Sequence, residues 1–157
     1  KFNEYELVLT NNKLSLQIKQ QFNAETKYLD DVLAFIVQQY DISNSAIEKA
    51  FVLSYDNNGN LTGIMQAGLG DHRDVSFNLN SCFKFLLLNN AMGCIFIHNH
   101  PIDAEINPSS DDYQLDAIIN SVCSILKIDM LANIILQGKT EYYNISKNIK
   151  EELVHEW

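Results

Sequence analysis

The run Cys94-Ile95-Phe96-Ile97, entered from Gly93 and left at His98, restricts the fold more than any other stretch of the chain. Successive side chains of an extended strand point to opposite faces, so a strand without polar positions cannot leave either face in water. The run therefore reads as a central strand covered on both sides. Such a strand needs helices or a second sheet as neighbours, and the rest of the chain supplies candidates.

Apolar positions from about Lys27 to Tyr40 recur at three and four, which predicts an amphipathic helix with Asp30 and Asp31 near its N-terminus. Ala50–Tyr55, the turn Asp56-Asn57-Asn58-Gly59-Asn60 and Leu61–Ala67 predict a β-hairpin. Gly68 and Gly70 break that pattern. An exposed turn at Asp71-His72-Arg73-Asp74 and a short strand from Val75 to Phe77 are expected next. A helix follows over Asn80–Met92, capped by Asn80 or Ser81. Pro101 to Pro108 carries no element, and Ser109 opens a long helical pattern through Leu126. Strands are expected at Leu131–Leu136 and Glu141–Ile145, with a terminal helix at Lys147–Trp157. Tyr5 to Ile18 alternates loosely as a strand, with Asn11-Asn12 as a turn. This order is an α/β mixture in two or three layers, and 157 residues suit one domain.

Composition removes several functions. A net charge of −9 with 11 basic residues, scattered along the chain, argues against a surface that grips nucleic acid by its phosphates. Cys82, Cys94 and Cys123 show no CxxC spacing and lie in or beside apolar runs, so they read as buried thiols in a reducing compartment. No segment reaches the ~18 apolar residues of a membrane span, and no signal-peptide pattern opens the chain. A cytoplasmic location without membrane contact is the expectation.

The chemistry concentrates at the end of the central strand. His98 and His100 stand two apart and face the same way if the strand runs on to Pro101. Two imidazoles at that spacing form half of a divalent metal site, and a catalytic zinc site needs one more protein ligand with a position left for water. Asp111 and Asp112, in the first turn of the next helix, can provide it. Read alone, His-Asn-His is an ordinary polar strand end, and an Asp in a first helical turn serves the helix dipole. The conjunction of the two points to a metal. Hydrolysis also needs a proton acceptor, and Glu48, just before the Phe51 strand, is the candidate; its plainer reading is a surface glutamate at a helix end.

His98-Asn99-His100-Pro101 and Pro108-Ser109-Ser110-Asp111-Asp112 resemble the His-x-His-Pro and Pro-Ser-x-x-Asp signature of RadC-like proteins, members of the JAB/MPN (JAMM) metalloprotease-like superfamily. Similarity runs from about Ser45 to Ser146 and includes Glu48–Asp56, which resembles the first core strand with its upstream glutamate. The resemblance implies an MPN/JAB-like fold with a cytidine-deaminase-like core, a mixed β-sheet flanked by helices. Residues 1–44 would form a divergent N-terminal strand and helix. It implies His98, His100 and Asp112 as zinc ligands, Glu48 as general base, and Ser109 as hydrogen-bond donor to the activated water or the developing oxyanion. The implied reaction is hydrolysis of an amide or isopeptide bond in a peptide or protein substrate.

This chain departs from the pattern in four places. Ile102-Asp103 follows His-x-His-Pro where Ser-Gly is usual, and the loop before the serine is one residue longer. Counting from His100 would select Asp111, whereas counting from Ser109 selects Asp112. Helix geometry fixes Ser-x-x-Asp locally while a loop absorbs an insertion, which favours Asp112. Leu131-Ala132-Asn133 stands where Leu-Asp-His is common, and no helix-hairpin-helix region is expected before the domain. These departures keep two further readings open: a catalytically idle MPN-like partner-binding module, and a DNA-repair-associated protein that processes nucleic acid.

Overall fold

The computed structural model describes residues 1–69, 77–101, 104–138 and 141–153. Its strands are β1 (Phe2–Thr10), β2 (Lys13–Phe22), β3 (Lys49–Tyr55), β4 (Leu61–Leu69), β5 (Gly93–Asn99), β6 (Asp129–Gln137), β7 (Glu141–Asn144) and β8 (Ile149–Glu152). The helices are α1 (Leu29–Gln39), α2 (Leu79–Leu88) and α3 (Ser110–Leu126). All eight strands form one mixed sheet in the order β2-β1-β4-β3-β5-β6-β7-β8. Pairing is parallel between β1 and β4 and between β5 and β6, and antiparallel elsewhere.

Every residue of β5 is buried, and its side chains divide between two cores as their alternation requires. Ile95 and Ile97 join Phe51 and Leu53 of β3 beneath Val32, Leu33, Ile36 and Val37 of α1. Cys94 and Phe96 join Ala50 and Val52 beneath Phe83, Phe85 and Leu86 of α2 and Ile119 and Cys123 of α3. The molecule is thus an α/β three-layer arrangement, the fold class that the JAB/MPN resemblance implies. Among the described residues no helix is long and apolar enough to cross a membrane.

Several boundaries differ from expectation. The N-terminal region contains two strands, because Asn11 and Asn12 both adopt the left-handed conformation (φ 51° and 62°) and close a tight hairpin. Helix α2 starts earlier, with Asn78 as the cap whose side chain accepts from Ser81 N at 3.1 Å. It ends at Leu88, since Asn90 turns to φ 53°. The expected terminal helix over Lys147–Trp157 is instead strand β8, paired antiparallel with β7. Asn148, at φ 57°, makes the turn, so pairing with β7 overrides the helix-forming residues Lys150, Glu151 and Glu152. Residues 154–157, the turn at 71–74 and most of the expected strand at 75–77 lie outside the described residues; Phe77 itself is not in a strand.

Candidate metal centre

Strand β5 feeds through a loop into α3, which returns along the sheet to the parallel strand β6. In such a unit the carboxyl end of the strand and the amino end of the helix meet, the usual place for a ligand in an α/β sheet. Here that place holds His98 and His100 at the end of β5 and Asp112 in the first turn of α3. Their ligating atoms all lie within 4.8 Å of one another, which makes a cluster able to hold a metal ion.

Each ligand is fixed by its own element. His98 is 2 % exposed, and its ring packs edge-on to Phe77 at 5.8 Å. His98 Nε2 lies 3.2 Å from Asp112 Oδ1, yet among the described residues neither ring nitrogen makes a hydrogen bond. Burying polar atoms without partners is costly. His100 Nδ1 donates to the Glu105 carbonyl at 2.6 Å, so in a neutral ring Nε2 carries a bare lone pair. That lone pair faces Asp112 Oδ2 at 3.2 Å. Lone pair against carboxylate is repulsive unless a proton or a metal cation stands between them. In the metal-free protein the proton is favoured. Burial lowers the pKa of His100, but the bonds to Asp112 and Glu105 and the charges of Asp112 and Glu48 together raise it above the ordinary value. A histidine that donates its second nitrogen to a backbone carbonyl is also how metal-ligating imidazoles are oriented.

Asp112 is placed by a capping box. Its backbone N–H donates to Ser109 Oγ at 3.1 Å, and Ser109 N donates to Asp112 Oδ2 at 2.9 Å. Burial would raise its pKa, but contacts with His100 and His98 and the Ser109 N–H hold it well below the usual carboxylate range. The carboxylate is 13 % exposed, whereas Asp111 is exposed and belongs to no such cluster among the described residues. Two imidazoles and one anionic carboxylate are a donor set suited to zinc. The unbonded Nε2 of His98 and the opposed pair His100–Asp112 fit a cation among them.

Glu48 is 7 % exposed, not a surface residue. Ala50 pairs with His98 across β3 and β5, and Glu48 lies two residues before Ala50, just outside the strand. Its charge is among those that raise the His100 pKa. Ser109 is exposed beside Asp112, with its hydroxyl oxygen engaged as the helix cap. The divergent Leu131-Ala132-Asn133 segment splits between faces. Ala132 packs under α1, while the buried Asn133 donates to Asp116 Oδ1 at 3.0 Å, one helical turn beyond Asp112. Sequence reasoning missed the Glu105 carbonyl and the Asn133–Asp116 bond; a backbone carbonyl carries no sequence signal.

Comparison with known proteins agrees with the geometry. The RadC-like JAB domain model matches residues 26–151, which include all five candidate site residues and exclude the β1–β2 hairpin. A UPF0758 protein of Flavobacterium johnsoniae is 32% identical over 111 residues, covering 71% of this chain and 48% of the relative. A UPF0758 protein of Chlorobium phaeovibrioides is 25% identical over 133 residues, covering 85% and 58%. The chain thus spans about half the length of the curated relatives it matches. With four fifths of its length matched and the His98, His100, Asp112 cluster assembled at the strand end, the chain belongs to the RadC-like JAB domain family.

Proposed function

We propose that the chain is a zinc-dependent hydrolase that cleaves an amide or isopeptide bond in a peptide or protein. The observation that carries this reading is the convergence of His98, His100 and Asp112 at the end of β5, with the buried Glu48 near enough for its charge to act on His100. His98, His100 and Asp112 would hold the ion. Zinc supplies a Lewis acid that polarises the carbonyl under attack and makes water more acidic. Glu48 takes the proton from attacking water on its carboxylate and delivers it to the leaving amine. The Ser109 hydroxyl caps α3 through its oxygen, so its hydrogen can be given to the oxyanion that develops on the substrate.

Metal analysis of protein purified without added zinc tests the first half: close to one zinc per chain is expected, and a value near zero that persists after zinc addition defeats it. A Glu48→Gln variant that folds, keeps zinc and loses hydrolysis of a peptide and isopeptide panel supports the second half. Full activity in that variant removes Glu48 from the mechanism. Ala132-Asn133, in place of the family's common acid and histidine, with Asn133 bonded to Asp116 of α3, favours one alternative: a metal-bound module that binds a partner without turnover. Nucleic-acid processing ranks lower, because the −9 charge leaves little cationic surface for phosphates. The three buried cysteines are free, which suits the reducing cytoplasm we propose as its location.

A further inference from the structure

We infer that Asn99, the residue between the two histidines, is a positioning residue that sets where Glu48 stands against the metal cluster. The inference rests on the reading of Glu48 as the proton carrier. Asn99 alternates to the face opposite His98 and His100, so it is no metal ligand, and it is 1 % exposed. Its side-chain amide brackets Glu48. Lys49 N donates to Asn99 Oδ1 at 2.6 Å, and Asn99 Nδ2 donates to the Ile47 carbonyl at 3.1 Å.

The bracket stands where the backbone ladder stops. The last pair between β3 and β5 is Ala50 with His98, while on its other side β5 continues, with His100 N donating to the Leu136 carbonyl at 2.9 Å. Beyond Ala50 the chain of β3 no longer pairs with β5, although Lys49 still pairs with Leu69 of β4. The Asn99 amide offers one acceptor and one donor, as a peptide group does, and so extends the ladder past its end. Two further bonds restrain the same segment: Ser45 Oγ donates to the Ile47 carbonyl at 2.6 Å, and Lys49 Nζ donates to the Tyr40 carbonyl at 2.7 Å. Of these tethers Asn99 alone grips both flanks of Glu48 from the strand that carries the histidines. Strand β5 therefore fixes the ligands through His98 and His100 and the proton carrier through Asn99, in one rigid element.

A displacement of about 1 Å in a reacting group costs on the order of 10²-fold in rate. For the zinc-loaded full chain, Asn99→Ala should lower kcat about 10²-fold with KM and zinc affinity changed less than about threefold. Adding Asn99→Ala to Glu48→Gln should cost nothing more, since both act through one carboxylate. Independently of turnover, the Glu48 side-chain 13Cδ resonance of the labelled protein should shift and broaden in Asn99→Ala, and the Lys49 amide should lose exchange protection. The His98 and His100 ring resonances of the zinc-loaded protein should stay in place. Asn99→Asp keeps the acceptor and loses the donor, so it should retain Lys49 protection while Glu48 moves; it replaces the alanine variant if that one does not fold. Wild-type kcat in Asn99→Ala, or an unmoved Glu48 resonance, overturns the inference. Loss of zinc in the variant would instead make Asn99 a support of the ligands. Full activity in Glu48→Gln would sink the proton-carrier reading alone, since the Glu48 resonance still reports whether Asn99 positions that side chain.

Discussion

Replacing His98 by leucine should stabilise the metal-free protein and at the same time abolish its stabilisation by zinc. Both ring nitrogens are buried without hydrogen-bond partners among the described residues. Such a group costs about 1–3 kcal/mol. Leucine is of similar size, so it removes that cost without opening a cavity. Against the gain stands the 3.2 Å contact with the Asp112 carboxylate, between two largely buried side chains, whose loss costs about 1 kcal/mol. Asp112 keeps its bonds to His100 and Ser109. The balance favours leucine by about 1 kcal/mol, or roughly 2–4 °C in melting temperature at this chain length. For the wild type, zinc at about 1,000 times its Kd adds about 4 kcal/mol, roughly 8–16 °C on the same scale. Calorimetric melts in chelator and in zinc read both effects. The wild-type transition should move up with zinc and the His98→Leu transition should not, while Asp111→Asn keeps the wild-type response. A leucine variant that melts clearly below the wild type in chelator, or one that gains as much from zinc, would refute the reasoning.

Three further outcomes follow from the packing. Gly63→Ala should destabilise by about 1–3 kcal/mol in urea titrations, because its Cβ would meet Tyr5 Cε2 at 2.7 Å; combining it with Tyr5→Ala should cost less than the two changes summed. Burial, with Tyr55 only 6 % exposed, holds its hydroxyl pKa above the ordinary tyrosine value. Its contribution is therefore complete below about pH 10 and is lost as pH rises further, by about 1.4 kcal/mol per pH unit while only the unfolded chain ionises. The urea midpoint should fall above that pH, and less steeply in Tyr55→Phe. Burial also pushes the Cys82 thiol up to about 12, and all three cysteines are buried, so the native protein should resist a thiol-specific disulfide reagent and yield three thiols once unfolded.

Legibility in the sequence followed how local each determinant is. Strand β5 was readable because its run leaves no face for water, and the start of α3 because Ser109 and Asp112 form a capping box within one turn. That local geometry also separates Asp112 from Asp111, which simple counting from His100 did not. Glu48 was only half readable. Its residue type suggested chemistry, but its burial depends on a ladder that joins positions about 50 apart in the chain, Ala50 with His98 and Lys49 with the Asn99 side chain. Strand β8 was misread for the opposite reason. Its residues favour a helix, and only the left-handed Asn148 and the waiting edge of β7 turn them into a strand.

The cluster owes its shape to bonds that do not involve a metal. Asp112 is oriented by the cap of α3 and His100 by the Glu105 carbonyl; both are backbone interactions that persist in the metal-free chain. Ordering of two of the three side chains therefore occurs on folding and not on ion binding, which removes an entropic cost of about 0.5–1.5 kcal/mol for each immobilised side chain. His98 lacks any such bond among the described residues, and its Nε2, 3.2 Å from Asp112 Oδ1, is left to the cation. The site is thus preorganised at two corners and unsatisfied at the third. That division predicts unequal roles: loss of the Ser109 cap should weaken zinc binding by loosening Asp112, whereas loss of His98 should remove the binding drive itself.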